Sequence, residues 1–171
     1  MENVTYLLRE IVSSDNLQIK KIILEVSTEY GTYDPNLNQV AGSGAGDSEL
    51  EDLFNAYNES GAKYWIVEDA LTKKILGGGG YKKLKGASIA EMQKLFLLPE
   101  ARGQGLAKQI IQMILKSSKE DGYRQIYLES ASQMKEAIKL YERFGFNHLE
   151  KALGNTGHFQ CGVFTIKDLG S

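Results

Sequence analysis

The chain is poor in several features that would restrict its function class. Cys161 is the only cysteine in 171 residues, so an intrachain disulfide is excluded and a reducing compartment is favoured. No apolar run approaches the ~20 residues that a membrane span requires. The formal net charge of −2 provides no basis for nucleic-acid binding by bulk electrostatics. These absences predict a protein with neither a membrane nor a nucleic acid as its partner.

The remaining composition is that of an ordinary soluble globular protein, with 42% hydrophobic and 25% charged residues. The first five residues, Met-Glu-Asn-Val-Thr, contain neither the basic nor the apolar region of a secretory signal. A chain of this length is most simply one domain and can bury about two-thirds of its unfolded surface. We therefore expect a single cytoplasmic domain over residues 1–171.

Helical and strand patterns follow one another along most of the chain. Apolar residues at helical spacing predict long helices over about 16–30 and 106–120, and shorter helices capped by Asp47 or Ser48 and by Ser132. Residues typical of strands predict strands at 4–11, 63–68, 75–84, 90–98, 125–129, 146–152 and 161–167. The three strands between 63 and 98 favour an antiparallel meander, and the helix that follows favours a parallel βαβ unit.

Two glycine clusters interrupt these patterns. Gly77–Gly80 lie within a predicted strand, which indicates a β-bulge or the close approach of another backbone or a ligand. The segment 41–47 is rich in glycine and indicates a flexible surface loop. The alternative for this segment is a mobile lid over a substrate site, because long loops in compact domains are often functional.

The segment 91–108 carries the clearest chemical signal. It has the pattern of a strand, a turn that contains Gly103 and Gly105, and the first turn of a helix. A helix N-terminus presents unpaired backbone N–H groups to an anion, and glycine lets the anion approach them closely. Arg102 and Lys108 add positive charge beside the same spot. The segment therefore predicts a binding turn for the pyrophosphate of a cofactor.

Other nucleotide-binding motifs fit this turn less well. A dinucleotide-binding fingerprint needs a third glycine where Lys108 stands, although Glu129 does end the next strand as that fold requires. A fingerprint starting at Gly77 needs glycine in place of Lys82. A P-loop is excluded because no Gly-Lys-Ser/Thr sequence follows. Dinucleotide binding therefore stays open as the less favoured alternative.

Two segments in the right order resemble a known family. Residues 102–107, Arg-Gly-Gln-Gly-Leu-Ala, are similar to the Q/R-x-x-G-x-G/A signature of the GNAT superfamily of acetyl-CoA-dependent N-acyltransferases. Residues 137–146 resemble its A-x-x-L-Y-x-x-x-G-F segment at the family's spacing. The order of elements extends the resemblance over nearly the whole chain. It implies an α/β fold with a GNAT-type mixed sheet, in which an antiparallel N-terminal meander joins a central parallel βαβ unit with flanking helices.

The resemblance also implies where acetyl-CoA, the family's cosubstrate, would bind. Backbone N–H groups would hold its pyrophosphate, with Arg102 beside them, at Gly103, Gln104, Gly105, Leu106, Ala107 and Lys108. The strand residues Leu95, Phe96 and Leu97 would line the pantetheine arm, and a backbone N–H near Leu97 would polarise the thioester carbonyl. Strand alternation predicts one shared face for Glu91, Gln93, Leu95 and Leu97.

The implied reaction is acetyl transfer to a primary amine by direct attack in a ternary complex, and it needs two proton transfers. Tyr141 matches the family's tyrosine that protonates the leaving thiolate, although core packing is its alternative role. Glu129 and Glu91 match positions where members carry the base, although either could be an ordinary residue at a strand end. Met134 stands where many members place an asparagine that contacts the cofactor. A binding or sensing module with little catalysis therefore remains as an alternative.

The C-terminal region contributes one further candidate. By analogy with the family, His158 would contact the substrate. Together His148, His158 and Cys161 match no usual zinc spacing, so no metal is predicted. Direct transfer also needs no acyl-carrying cysteine. The sequence leaves open whether the acceptor is an amino acid, a polyamine, an antibiotic or a protein, and family members often form homodimers.

Overall fold

The computed structural model describes residues 4–34, 39–40, 48–85, 87–154 and 162–170, and the structural statements below concern those residues. The strands are β1 (Tyr6–Glu10), β2 (Tyr33–Asp34), β3 (Gln39–Val40), β4 (Lys63–Asp69), β5 (Ile75–Lys83), β6 (Ala90–Leu97), β7 (Gln125–Ser130), β8 (Asn147–Leu149) and β9 (Val163–Asp168). The helices are α1 (Asn16–Glu29), α2 (Leu53–Ala56), α3 (Leu106–Glu120) and α4 (Lys135–Arg143).

Seven strands form one mixed sheet in the order β1-β4-β5-β6-β7-β9-β8, and β2 pairs with β3 separately. Among the described strands β6 and β7 are the parallel neighbours, and the other neighbours run antiparallel. The predicted α/β fold is confirmed, with its meander β4-β5-β6 and its parallel unit β6-α3-β7. Within the described ranges, no helix is both long and apolar enough to cross a bilayer.

The helix patterns hold because their apolar stripes cover the sheet. On α1 the stripe is Ile19, Ile22, Ile23 and Val26, and on α3 it includes Ile110, Ile111 and Ile114. Each of these side chains is buried, which supplies the main driving force for docking the helices. Glycines with positive φ follow α1 and α4, at Gly31 and Gly145 respectively, as is common at helix C-termini.

Two predicted helix caps are wrong. Asp52, rather than Asp47 or Ser48, caps α2, and its carboxylate accepts a hydrogen bond from the Asn55 N–H at 3.2 Å. Ser48 instead begins a short 3-10 helix, Ser48–Glu51. Helix α4 begins after Met134 rather than at Ser132, because Ser132 lies in a turn closed by the Met134 N–H on Ala131. Local sequence alone does not distinguish a polar residue that caps a helix from one that lies in a turn.

The glycines of β5 are explained by the close approach of neighbouring backbones. A Cβ atom added at Gly78 would lie 2.5 Å from the Trp65 carbonyl oxygen, and one at Gly80 would lie 2.3 Å from that of Lys63. Both distances are far below a normal contact, so only glycine fits between these strands. The close approach predicted from the glycine run is confirmed.

A β-bulge, also predicted from the glycine run, interrupts the pairing of β5 with β6. Gly78 pairs with Phe96 but Gly80 pairs with Gln93, so Lys94 and Leu95 together face the single residue between them. Lys94 takes a φ of 52°, a left-handed value that residues other than glycine rarely adopt. A bulge of this kind bends the strand and resets the alternation of its side chains.

The bulge overturns the prediction that Gln93 and Leu95 share a face. Gln93 accepts a hydrogen bond from the Tyr57 hydroxyl at 2.7 Å, and the Lys94 ammonium lies 5.8 Å from the centre of the same ring. Leu95 instead lies near Ile110 of α3, since both side chains would touch a Cβ atom added at Gly79. The Leu95 side chain therefore points away from the face that Gln93 occupies.

Strands β6 and β7 separate soon after they meet. They pair only at Ala90 with Ile126 and at Glu91 with Tyr127, whereas β6 continues to Leu97 and β7 to Ser130. Beyond those pairs the edges of both strands face a gap in the middle of the sheet. This gap positions the site described below.

Candidate active site

A cleft of about 750 Å³ lies beside the C-terminal half of β6. Its walls come from α1, β6, the turn before α3, and α4. Every residue predicted to contact the cofactor lines this cleft except Gln104. Its size lies within the range of about 300–1,000 Å³ that is usual for small-molecule sites. Residues far apart in the chain are therefore assembled around one concave surface.

The turn before α3 has the backbone conformation of an anion site. Gly103 and Gly105 have φ values of 72° and 75°, in the left-handed region that favours glycine. Added Cβ atoms at these glycines would meet no atom within 4 Å, so the requirement for glycine comes from φ rather than from crowding. The N–H groups at the start of α3, from Leu106 to Lys108, have no acceptor within the helix and lie at the positive end of its dipole.

The positive charges around the turn are not simply those of Arg102 and Lys108, which the sequence predicted. Lys108 is exposed at the cleft, and Arg143 of α4 adds a second exposed cation that the sequence did not single out. Arg102 also lines the cleft, but its guanidinium makes two hydrogen bonds of 2.7 Å to the Glu29 carboxylate. These bonds raise the pKa of Arg102 and lower that of Glu29, so the two groups are ionised and paired.

A smaller pocket of about 40 Å³ adjoins the cleft. Leu95, Phe96, Met134 and Tyr141 line both spaces, so the two meet at the gap between β6 and β7. The smaller pocket also includes Glu91 and Glu129, the two predicted candidates for the base. The fold therefore brings the three predicted catalytic side chains to one place.

Glu91 is buried, with 3% of its surface exposed, and it belongs to an ordered chain of polar groups. The Gln93 amide donates a hydrogen bond of 2.6 Å to the Glu91 carboxylate. The Tyr57 hydroxyl donates to the amide oxygen of Gln93 at 2.7 Å. Because the Gln93 amide uses its NH₂ group on Glu91, its oxygen must face Tyr57, and the orientation of the amide is determined.

Glu129 lies across the gap on β7 and accepts a hydrogen bond of 2.7 Å from the Tyr127 hydroxyl. The Leu153 N–H donates to the same hydroxyl oxygen at 3.1 Å. Burial, followed by the bond to Glu129, raises the pKa of Tyr127, and the negative charge of Glu91 adds to the effect. Both carboxylates thus act on one phenol, which places them at the same end of the gap.

Tyr141 is buried on α4, and its ring packs edge-on against Phe146 at 6.1 Å between ring centres. Burial raises the pKa of its phenol, so the hydroxyl keeps its proton. Among the described residues, none forms a hydrogen bond with this hydroxyl. Tyr141 lines both the cleft and the pocket, so its hydroxyl can donate at their junction without competition from an acceptor in the described part of the chain.

Of the remaining candidates, His148 lies among the described residues. His148 is exposed and lies 2.7 Å from the Glu142 carboxylate, outside the pocket. No group of three His, Cys, Asp or Glu side chains that could hold a metal occurs among the described residues. His158, Cys161 and the segment 41–47 lie outside the described residues. Their predicted roles stay predictions.

Several residues that shape the site were not predicted from the sequence. Glu29 and Tyr30 end α1, and Tyr57 follows α2, so nothing in the local sequence connects them to β6 or to the turn. The sequence did contain a signal for Arg143, because it lies three residues after Leu140, which also lines the cleft. A role for this cation at the cleft can be inferred only when the face of α4 that lines the cleft is known.

Comparison with known proteins assigns the chain to a family. A model of the acetyltransferase (GNAT) family matches residues 28–146. A protein of Escherichia coli strain K12, the uncharacterized N-acetyltransferase YjgM, is 39% identical over 164 residues, which cover 95% of this chain and 94% of YjgM. The matched region contains the turn, the gap and Tyr141.

Solved structures share the fold at low sequence identity. A GNAT-family acetyltransferase from Staphylococcus aureus Mu50 aligns with a TM-score of 0.80 at 19% identity, covering 96% of this chain and 99% of that one. The yncA structure from Salmonella typhimurium, which contains its cofactor acetyl-CoA, aligns with a TM-score of 0.72 at 15% identity, covering 98% and 95% of the two chains. With the family match, the signature turn and the shared architecture in agreement, the chain belongs to the GNAT family of acetyltransferases.

Proposed function

We propose that this chain transfers an acetyl group from acetyl-CoA to a primary amine by direct attack in a ternary complex. The observation that carries the proposal is the gap between β6 and β7, where the large cleft and the small acidic pocket meet beside Tyr141. An acyl donor in the cleft and an amine in the pocket would approach each other at this junction. Holding two reactants in this way removes much of the entropic barrier to their reaction.

The residues present fit acetyl-CoA, which supplies the reactive thioester when it is bound. The positive-φ glycines and the first N–H groups of α3 suit a pyrophosphate, and Lys108 and Arg143 add positive charge at the cleft. The free edge of β6 suits an extended arm that pairs with it as an added strand would. Leu95, Phe96 and Leu97 give this edge an apolar lining.

The backbone of Leu97 is oriented to act on the thioester carbonyl. The Leu98 N–H bonds to Leu76 on the β5 side at 2.8 Å. Successive N–H groups of an extended chain point to opposite edges, so the Leu97 N–H is directed towards the gap. A donor in that position would stabilise the negative charge that develops on the carbonyl oxygen during attack.

The small pocket suits the acceptor amine. An aliphatic amine with a pKa of about 10.4 is mostly protonated at neutral pH and must lose a proton before it attacks. Glu91 and Glu129 can attract the ammonium group and accept that proton, directly or through water. The pocket volume of about 40 Å³ admits only the end of an acceptor. Tyr141 then returns a proton to the leaving thiolate.

The proposal is tested by thiol release from acetyl-CoA over a panel of amines that includes diamines, amino acids, aminoglycosides and lysine peptides. We expect turnover with at least one amine, and a loss of turnover when Glu91→Gln and Glu129→Gln are combined. Glu142→Gln is the matched control, because Glu142 is exposed and bonds His148 outside the pocket. Binding of acetyl-CoA without turnover on any amine would support the sensing module instead.

The order of events is tested by mass spectrometry of the protein mixed with acetyl-CoA alone. Direct attack predicts that no covalent acetyl group accumulates on the protein. An acetylated protein that passes its acetyl group to an added amine would overturn the ternary-complex mechanism.

A further inference from the structure

Arg102 lies in the signature turn, yet its side chain is directed at protein groups. Two of its nitrogens donate to the two oxygens of Glu29 at 2.7 Å each, and its Nε donates to the Leu97 carbonyl at 3.0 Å. The guanidinium also lies over the ring of Tyr30, with 5.6 Å to its centre. A bidentate pair between arginine and a carboxylate is among the strong hydrogen-bond geometries of proteins. Arg102 is therefore held on three sides.

These contacts join three separate walls of the cleft. Glu29 and Tyr30 lie at the C-terminal end of α1, Leu97 ends β6, and Arg102 belongs to the turn before α3. The last turn of α1 contains no basic residue of its own, so Arg102 supplies the cation that its dipole favours. The pair spans 73 residues of sequence.

The bond to Leu97 has a specific consequence for the gap. Within a strand the N–H and C=O of one residue point to the same edge. Because the Leu97 N–H is directed to the gap, the carbonyl that Arg102 binds lies on that edge as well. Arg102 thus restrains the backbone whose N–H would stabilise the thioester carbonyl.

We propose that Arg102 is a positioning residue that orders Leu97 and the α1 wall of the cleft through its pair with Glu29, and that it is not a ligand of the pyrophosphate. This proposal rests on the proposed function for its effect on acetyl transfer. The competing role is a phosphate ligand that Glu29 sequesters in the free protein. The two roles predict opposite effects when the Glu29 charge is removed.

The deciding experiment measures the Kd for coenzyme A of Glu29→Gln by calorimetry. A positioning role predicts that binding weakens about three- to fivefold, the effect expected from losing a partly exposed ion pair, and that kcat also falls. A sequestered ligand predicts tighter binding, since the substitution frees Arg102 and removes a nearby negative charge. Glu25→Gln is the matched control. It removes the same charge one turn earlier on α1, where Glu25 is exposed and does not bond Arg102; its Kd should change less than about twofold.

A conservative variant separates position from charge. Arg102→Lys keeps the charge but cannot bond Glu29 twice and Leu97 at once. A positioning role predicts that it weakens binding as much as Arg102→Gln, whereas near wild-type affinity for Arg102→Lys would overturn the proposal. The exchanged pair Glu29→Arg with Arg102→Glu restores opposite charges but no donor for the Leu97 carbonyl. It should therefore recover thermal stability without recovering kcat.

A measurement without ligand keeps this proposal separate from the proposed function. In hydrogen–deuterium exchange of the free protein, Glu29→Gln should speed exchange at the end of β6 and in the turn at 97–103, and Glu25→Gln should not. Unchanged exchange in Glu29→Gln would overturn the positioning role even if acetyl-CoA is turned over. Faster exchange in a protein that fails to bind coenzyme A would overturn the proposed function alone.

Discussion

Replacing Tyr141 with phenylalanine removes one hydroxyl group from the junction of cleft and pocket. Among the described residues this hydroxyl has no hydrogen-bond partner, and the ring would remain packed on Phe146. The free energy of unfolding should therefore change by less than about 0.5 kcal/mol. Loss of a positioned general acid lowers rates by about 10²–10⁴-fold. That factor corresponds to about 3–5 kcal/mol of transition-state stabilisation.

The assay is the initial rate of thiol release at saturating acetyl-CoA and amine, with the Kd for coenzyme A measured in parallel. We expect kcat to fall by the stated factor with Kd unchanged. Burial raises the pKa of Tyr141 above its ordinary value of 10.0, so its phenol stays protonated through neutral and mildly alkaline pH. Any fall in the wild-type rate at alkaline pH below 10 therefore belongs to another group. It should occur at the same pH in Tyr141→Phe.

Tyr123→Phe is the matched control because its hydroxyl does have a partner. It donates to the Gly61 carbonyl at 2.9 Å and lines neither the cleft nor the pocket. This substitution should cost about 0.5–1.5 kcal/mol of stability and leave kcat unchanged. A general-acid role for Tyr141 is refuted if Tyr141→Phe retains kcat within about threefold of wild type, or if its loss of rate is matched by Tyr123→Phe.

Three further predictions concern the surroundings of the site. Gly80→Ala places a Cβ atom 2.3 Å from the Lys63 carbonyl and should destabilise the sheet by about 1–3 kcal/mol in urea unfolding; a smaller effect would contradict the packing argument. Gln93→Leu removes a hydrogen bond that stabilises the charged form of Glu91, so the acid limb of kcat/KM should move to higher pH, and an unmoved limb would show that Glu91 is not the base. Burial alone would raise the pKa of Asp15, but hydrogen bonds from Arg9 and from the Val12 N–H hold the pKa below the ordinary 3.8. The ionised Asp15 stabilises the fold above pH 3.8, and this stabilisation is lost as the pH falls further. The free energy of unfolding of Asp15→Asn should therefore depend less steeply on pH below 3.8 than that of the wild type.

The regular elements were predictable because each is encoded by a local period. The stripes on α1 and α3 repeat at helical spacing and end at residues that disfavour helix, so their bounds agree with the structure within about two residues. The turn at 102–108 was predictable for the same reason, since its glycines and the helix that follows are adjacent in sequence. Both motifs of the family resemblance are local in this sense.

The strand interiors were less predictable. The four glycines of β5 indicated a bulge without saying in which strand it lies, and the extra residue belongs to β6 at Lys94. Strand alternation, a local rule, then failed at Leu95 because pairing with a neighbouring strand reset it. Which residue absorbs a bulge depends on the space available between strands, which no single segment of sequence contains.

Local sequence was enough to predict the order of the main elements, the glycine turn at the start of α3 and the candidate roles of Glu91, Glu129 and Tyr141. That these three side chains meet depends on the packed fold, because the gap between β6 and β7 arises from pairing that stops after two residue pairs. The packed fold also determines the partner of Arg102, whose guanidinium is paired with the Glu29 carboxylate 73 residues earlier. Hydrophobic period and backbone propensity act over a few residues, whereas the charge around a site is set by whichever groups the packed fold brings within hydrogen-bond distance.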